Sequence, residues 1–219
     1  MGDQSRVFVR KLLIWYKKAA RRLHWRETRN PYAILVSEFM LQQTQVSRVL
    51  EYFPRFMTRF PTIDALARAR PKAVMEQWDG LGYYARARNL HELAREVTRR
   101  HDGTLPDKPE DLRTLPGVGP YTAGAVACFA YEKPVPTVDT NVKRVLQRVF
   151  GTSDVWEFAT KLMPRNGKRA WKLNQAMMEL GALVCTARNP KCPECPVRSD
   201  CRAVRSGIQI RNRPRAHPR

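Results

Sequence analysis

No apolar stretch in this 219-residue chain approaches the roughly 20 residues that a bilayer-spanning helix needs, so no membrane partner is expected. A secretory pattern is missing too. The apolar patch Leu12 to Tyr16 is too short for a signal core and runs directly into Lys17, Lys18, Arg21 and Arg22. Both absences point to a soluble, cytoplasmic protein. Cysteine is sparse, five in all, too few for a disulfide scaffold at this length, and four of the five crowd between Cys185 and Cys201. In a reducing compartment such crowding indicates a metal centre. Acidic residues are half as common as basic ones, 20 against 40, for a formal charge of +20. That imbalance is unusual for an enzyme of small molecules and favours a polyanionic partner, nucleic acid first.

Strand-like alternation and internal repeats are also lacking, and helical spacing takes their place. Residues 5 to 23 carry Val9, Leu12, Leu13, Tyr16 and Ala20 on one side and a basic face opposite. Further helices are expected over 31–44, 45–58, 72–78, 84–100, 109–114, 122–131, from Asp139 onward, 155–163 and 168–184, punctuated by Pro61, Pro71, Gly103 and Pro106. The fold class is therefore all-α, in two lobes with a groove between them. Beyond Cys201 the chain holds Arg202, Arg205, Arg211, Arg213, Arg215 and Arg219 without an acid, which reads as a mobile basic tail attracting phosphates.

Four features carry chemistry. Leu115-Pro-Gly-Val-Gly-Pro-Tyr-Thr122 lies between two helical segments. Gly117 and Gly119 permit a tight hairpin around Val118, and amides at the head of the following helix can hold a phosphate without reading a base. The cysteines are spaced C-x6-C-x2-C-x5-C from Cys185 through Cys192 and Cys195 to Cys201, a spacing that lets four thiolates converge. Zinc and a [4Fe-4S] cluster both accept that set. Arg188, Lys191 and Arg198 accompany it, which favours a structural, DNA-contacting loop over redox turnover. Cys128, on an apolar helix, reads as core.

Glu38 sits in Tyr32-Ala-Ile-Leu-Val-Ser-Glu-Phe-Met-Leu41, apolar on every side. Burial there would raise its pKa and let it hold a proton near neutrality, as a general acid must. A structural Glu paired with an arginine is the competing reading. Asp139 precedes a helix whose Val142, Val145, Leu146 and Val149 share a face, the position of an N-cap. It can also stabilise the oxocarbenium character that a sugar acquires when an N-glycosidic bond breaks.

The stretch from about Trp25 to Cys201 resembles the catalytic domain of adenine-specific mismatch DNA glycosylases of the MutY type, in the endonuclease III-like helix-hairpin-helix superfamily. The matching strings are Ser37-Glu-Phe-Met-Leu-Gln-Gln-Thr-Gln-Val46, Gly80-Leu-Gly-Tyr-Tyr-Ala-Arg-Ala-Arg-Asn-Leu90, Leu115 to Gly124, Val138-Asp-Thr-Asn-Val142 and Asn174-Gln-Ala-Met-Met-Glu-Leu-Gly181. The resemblance implies a helical barrel domain over 25–134 containing the hairpin. It implies a second helical domain from 1–24 plus 135–201 bearing a [4Fe-4S] cluster on Cys185, Cys192, Cys195 and Cys201, and it leaves 202–219 as the tail.

It also assigns roles. Glu38 would protonate the adenine and handle water, and Asp139 would stabilise the cationic sugar. Tyr121 stands where bifunctional relatives place a Schiff-base lysine, so efficient strand cleavage is not expected. Trp25, Arg26, Leu41 and Gln175 would line a pocket for the flipped base. Gln42, Gln43, Thr44 and Tyr83 would contact or wedge the duplex together with Gly117, Val118 and Gly119. The partner is mismatched double-stranded DNA, met by a monomer. Two departures keep the base open: Thr140 follows the catalytic Asp where glycine is usual, and the chain stops before the domain that reads 8-oxoguanine in that family. Removal of thymine or uracil mispaired with guanine remains an alternative, as does a non-catalytic, cluster-bearing DNA-binding module.

Overall fold

A computed structural model describes residues 2–207. Among them the chain is helical and contains no strand. It divides into two compact units, one of Arg22–Lys133 and one combining Met1–Arg21 with Pro134–Arg219.

The Arg22–Lys133 unit opens on a single 3-10 turn, His24–Arg26. It continues through α2 (Pro31–Leu41), α3 (Val46–Arg59), α4 (Ile63–Ala67), α5 (Pro71–Trp78), α6 (Ala85–His101), α7 (Pro109–Leu112) and α8 (Pro120–Tyr131). Helix α2 starts where Asn30 accepts from the amides of Tyr32 and Ala33 at 2.9 and 3.2 Å, with Pro31 in the first turn. The cap satisfies donors that lack a helical partner, and proline there forfeits nothing. Every residue of α2 from Tyr32 to Met40 is buried, and α8 is buried from Thr122 to Phe129. These two helices pack on each other at the centre of the unit. Their lack of any polar face follows from being covered all round.

In the second unit α1 (Asp3–Ala19), α9 (Thr140–Phe150), α10 (Val155–Leu162), α11 (Gly167–Leu183) and α12 (Arg202–Arg205) share one core. Helix α1 buries Phe8, Leu12 and Tyr16, while Val9 and Leu13 lie at the edge of that core. Ala20 falls beyond the helix as its exposed C-cap. Asp154 and Asn166 cap α10 and α11 by accepting from Glu157 N and Arg169 N.

Three expectations are corrected. Helix α2 ends at Leu41 rather than 44, because Gln43 turns left-handed with φ 57°. The five residues of α4 carry too short a pattern to register as a helix, although Thr62 caps them through Ala65 N at 3.1 Å. Arg202–Arg205 do not begin a tail: they form α12, with Ala203 buried and the Arg202 side chain lying against Gly151. The rest of the expected basic tail, with Arg211, Arg213, Arg215 and Arg219, lies outside the described residues.

Candidate active site

Glu38 occupies the third turn of α2, between Ser37 and Phe39 and only 5 % exposed. Its neighbours on the helix leave no solvated face, so a carboxylate here trades water for protein contacts. Ser37 takes no part in solvation, since its hydroxyl donates back to Ile34 O at 2.7 Å. At the end of the helix Leu41 is half-buried and Gln42 is the C-cap. Gln43 is exposed, and Thr44 N donates to Leu41 O at 3.3 Å to close the turn.

Tyr83 protrudes from the 79–84 loop, 59 % exposed and left-handed with φ 49°. A large aromatic held out in an unfavourable backbone conformation is not core packing. Trp25 is the opposite case. It is buried and meets Phe53 edge to face at 5.6 Å, so its ring is part of the wall of the unit. Arg26 closes the same short turn, half-buried.

Between α7 and α8 the hairpin uses its two glycines differently. Gly117 has φ 75°, and a Cβ there would lie 2.9 Å from Asn89 Cβ and 3.0 Å from Phe39 Cε1. Gly119 caps α8 at an ordinary φ of −87° with nothing within 4 Å of a would-be Cβ. Only Gly117 needs its conformational freedom; at Gly119 the missing side chain leaves open space before the head of α8. Gly117→Ala should therefore lower stability by about 1–3 kcal/mol, and Gly119→Ala should leave it nearly unchanged, as read by chemical denaturation. Val118 is buried and its amide donates to Leu115 O at 3.2 Å. Tyr121 lies in the first turn of α8, half-buried. No lysine replaces it in this hairpin.

Asp139 belongs to the unit that combines Met1–Arg21 with Pro134–Arg219. Its Oδ1 accepts from Val142 N at 2.7 Å as the N-cap of α9, and its Oδ2 accepts from Asn141 Nδ2 at 2.8 Å. Burial pushes its pKa above the ordinary carboxylate value, against the pull of those two hydrogen bonds and of Arg144. The segment leading to it is pinned by buried Asn174, whose Oδ1 accepts from Thr137 N at 3.0 Å while Nδ2 donates to Val135 O at 2.9 Å. Gln175, beside it on α11, is 4 % exposed, and its Oε1 has no hydrogen-bond partner among the described residues. Such an atom is costly until a donor reaches it.

Residues that the sequence reading passed over complete this surrounding. Arg144 donates from Nη2 to Asn141 Oδ1 at 2.6 Å and to Gly181 O at 2.7 Å, and from Nε to Cys185 O at 2.7 Å. The first of these contacts orients the Asn141 amide so that its NH2 faces Asp139. Gly181 lets α11 approach α9 closely, since a Cβ there would stand 2.5 Å from Asn141 Cβ. Fully buried Glu179 is held by Arg21, whose Nε and Nη2 donate at 2.7 and 3.1 Å. The i, i+3 spacing of Asn141 and Arg144 is a local signal for one of these contacts, and Asn141, Glu179 and Gly181 stand in the family-like strings; their partners lie far along the sequence.

Cys185, Cys192, Cys195 and Cys201 line one cavity with Val149, Leu180, Val184 and Val204. Arg148 Nη1 lies 3.4 Å from Cys185 Sγ, and Cys201 Sγ donates to Arg148 O at 3.4 Å. Four thiols around one apolar cavity are a donor set that fits a thiolate-held metal centre. Burial raises the Cys192 thiol and pushes Cys195 up to about 11, so thiolates here need the positive charge of a metal. Arg188, Lys191 and Arg198 are exposed on this loop.

Residues 36–169 match the HhH-GPD superfamily base excision DNA repair protein family. The chain belongs to that superfamily. Residues 185–201 match the iron-sulfur binding domain of endonuclease III, and the cofactor of this segment is a [4Fe-4S] cluster. In the superfamily, the chain is 48 % identical over 196 residues to the adenine DNA glycosylase of Mycobacterium tuberculosis, covering 85 % of this chain and 64 % of that protein. It is 47 % identical over 205 residues to the adenine DNA glycosylase of Mycolicibacterium smegmatis, covering 90 % and 69 %. The chain thus spans about two thirds of these relatives. Among solved structures, that of a thermostable thymine-DNA glycosylase superposes with a TM-score of 0.87 at 31 % identity, covering 93 % of this chain and 97 % of that one. The all-α HhH-GPD fold is the one expected from the motifs.

Proposed function

We propose that the protein is a monofunctional DNA glycosylase that removes mispaired adenine, opposite guanine or 8-oxoguanine, from double-stranded DNA. The observation that carries this reading is the pair of carboxylates in contrasting settings: Glu38 on a helix with no solvated face and Asp139 held by two donors. One suits proton delivery and the other charge stabilisation. Glu38 in its acid form donates its proton to the leaving adenine, and the bond from C1′ to the base breaks. The anion of Asp139 stabilises the resulting oxocarbenium ion. Water then adds at C1′ and returns a proton to Glu38. No lysine stands at Tyr121 to form an imine, so base loss does not lead to strand cleavage.

The rest of the reading distributes recognition. Gln175 Oε1, buried without a donor among the described residues, is suited to an exocyclic amine of the extruded base, and Trp25, Arg26 and Leu41 are the further contacts proposed for that base. Gln42, Gln43, Thr44 and Tyr83 enter or flank the duplex. Gly117 and Gly119 bring backbone amides to a phosphate. Cys185, Cys192, Cys195 and Cys201 would hold the cluster, which supplies charge for four thiolates and ties the surrounding loop, with Arg188, Lys191 and Arg198, into a phosphate-binding shape. Cys201→Ser should then give protein without the brown absorbance, a loop cut faster by protease and weaker duplex binding. A colourless wild-type protein carrying one zinc per chain would refute the cluster.

The thymine-DNA glycosylase likeness supports a second reading, removal of thymine or uracil opposite guanine. The higher identity to adenine glycosylases favours the first. The test is to incubate the protein with duplexes carrying A opposite 8-oxoguanine, A opposite G, T opposite G or U opposite G, and to compare strand breaks with and without alkali. Alkali-dependent breaks at adenine are expected. Release only from pyrimidine mismatches overturns the adenine reading, breaks at equal rate without alkali overturn monofunctionality, and no release at all leaves a binding module.

A further inference from the structure

Gln43 and Tyr83 are both left-handed, at φ 57° and 49°, and neither is the glycine that would adopt such a conformation without strain. Each costs about 1 kcal/mol or more unless its surroundings impose it. The two lie on separate loops, 41–44 and 79–84, and one side chain joins them. Arg86, in the first turn of α6, donates from Nη1 to Phe39 O and Met40 O at 2.9 and 2.8 Å and also to Gln42 O. From Nη2 it donates to Leu81 O and Gly82 O at 3.2 and 3.0 Å, and Nε reaches Tyr83 O at 3.4 Å. The guanidinium also sits 5.4 Å from the centre of the Trp78 ring and 5.5 Å from that of Tyr83.

No carboxylate is among these partners. The compensation for a buried cation comes from the last carbonyls of α2, which have no amide a turn further on and carry the negative end of the helix dipole. A planar fork with five N–H groups can serve two sets of carbonyls at once; an ammonium cannot.

We propose that Arg86 is a positioning residue that presets both loops, so that Gln43 and Tyr83 stand ready to enter the duplex, while the same contacts fix the end of the helix bearing Glu38. The inference rests on the reading of Gln43 and Tyr83 as duplex-entering residues. Order imposed before binding need not be supplied by the DNA, so the benefit falls on extrusion of the target base rather than on attraction to phosphate.

The test places 2-aminopurine at the target position of a duplex and follows its fluorescence on mixing, in a Glu38→Gln background where no base is released. Tyr83→Ala should slow the rise, and its failure to do so removes the duplex-entry reading together with this proposal. Arg86→Lys should slow the rise about 100-fold while retaining helical content, cluster absorbance and binding to an undamaged duplex. An unchanged rise in Arg86→Lys beside a slowed one in Tyr83→Ala overturns the proposal alone. In the double variant the two losses should fall well short of additive, because Arg86 acts through the loop; full additivity also overturns it. Should Arg86→Lys not fold, arginine-labelled wild-type protein decides: a clamped guanidinium gives separately resolved, slowly exchanging Nη protons without DNA, and rapid averaging of those signals overturns the clamp.

Discussion

Glu38→Gln should lower the rate of adenine release about 1,000-fold or more while leaving duplex affinity and fold intact. The amide keeps the size and polarity of the side chain but has no acidic proton, and general acid catalysis contributes up to about 10⁴-fold. Retained affinity matters as much as lost turnover. With Glu38 only 5 % exposed on a helix buried from Tyr32 to Met40, a structural carboxylate paired across the core would lose stability on replacement. A Glu38→Gln protein that melts much earlier than wild type would therefore support the structural reading, and one that still releases adenine at the wild-type rate would remove Glu38 from the chemistry.

Asp139→Asn is expected to lower turnover by about 100- to 1,000-fold, the scale of removing one well-placed electrostatic stabiliser. Its effect on stability should have the opposite sign. Burial places the Asp139 pKa above its ordinary value in the folded protein, so the neutral form contributes stability that is complete below the unfolded pKa of about 3.9 and lost as pH rises through the folded value. At neutral pH the ionised group is a net cost. Asparagine removes that cost and keeps an oxygen to cap Val142 N. The melting temperature of Asp139→Asn should match or exceed wild type at pH 7, and the difference should vanish as pH falls below about 4. The rate of wild-type protein should also begin to fall at a higher pH than an unshifted aspartate would give, since the proposed role of Asp139 uses its anion. A variant less stable than wild type at neutral pH would mean that Asp139 serves α9 alone.

Local pattern carried much of this architecture. The face of Val142, Val145, Leu146 and Val149 is buried as its spacing requires, and Asp139 caps the helix where an Asp before such a face should stand. The cysteines share one cavity, as C-x6-C-x2-C-x5-C suggested. Pattern failed where one signal masked another. The excess of arginine beyond Cys201 concealed a short helix anchored by Ala203, and the paired glycines of the hairpin look equivalent although only Gly117 is constrained. Val118, expected at the DNA together with Gly117 and Gly119, has a buried side chain.

The inventory and its local setting are legible in the residues alone: helices from periodicity and caps, a four-thiol metal loop from spacing, and no lysine at Tyr121. These follow from interactions spanning a few residues. Tertiary structure alone decided how the carboxylates are surrounded, that Trp25 is wall and Tyr83 is exposed, and that two strained loops share one guanidinium. Desolvation depends on every neighbour in space, and the contact from Arg86 to Phe39 crosses 47 residues of chain. No local pattern carries such information, because the carbonyls that receive Arg86 are backbone groups that every residue has.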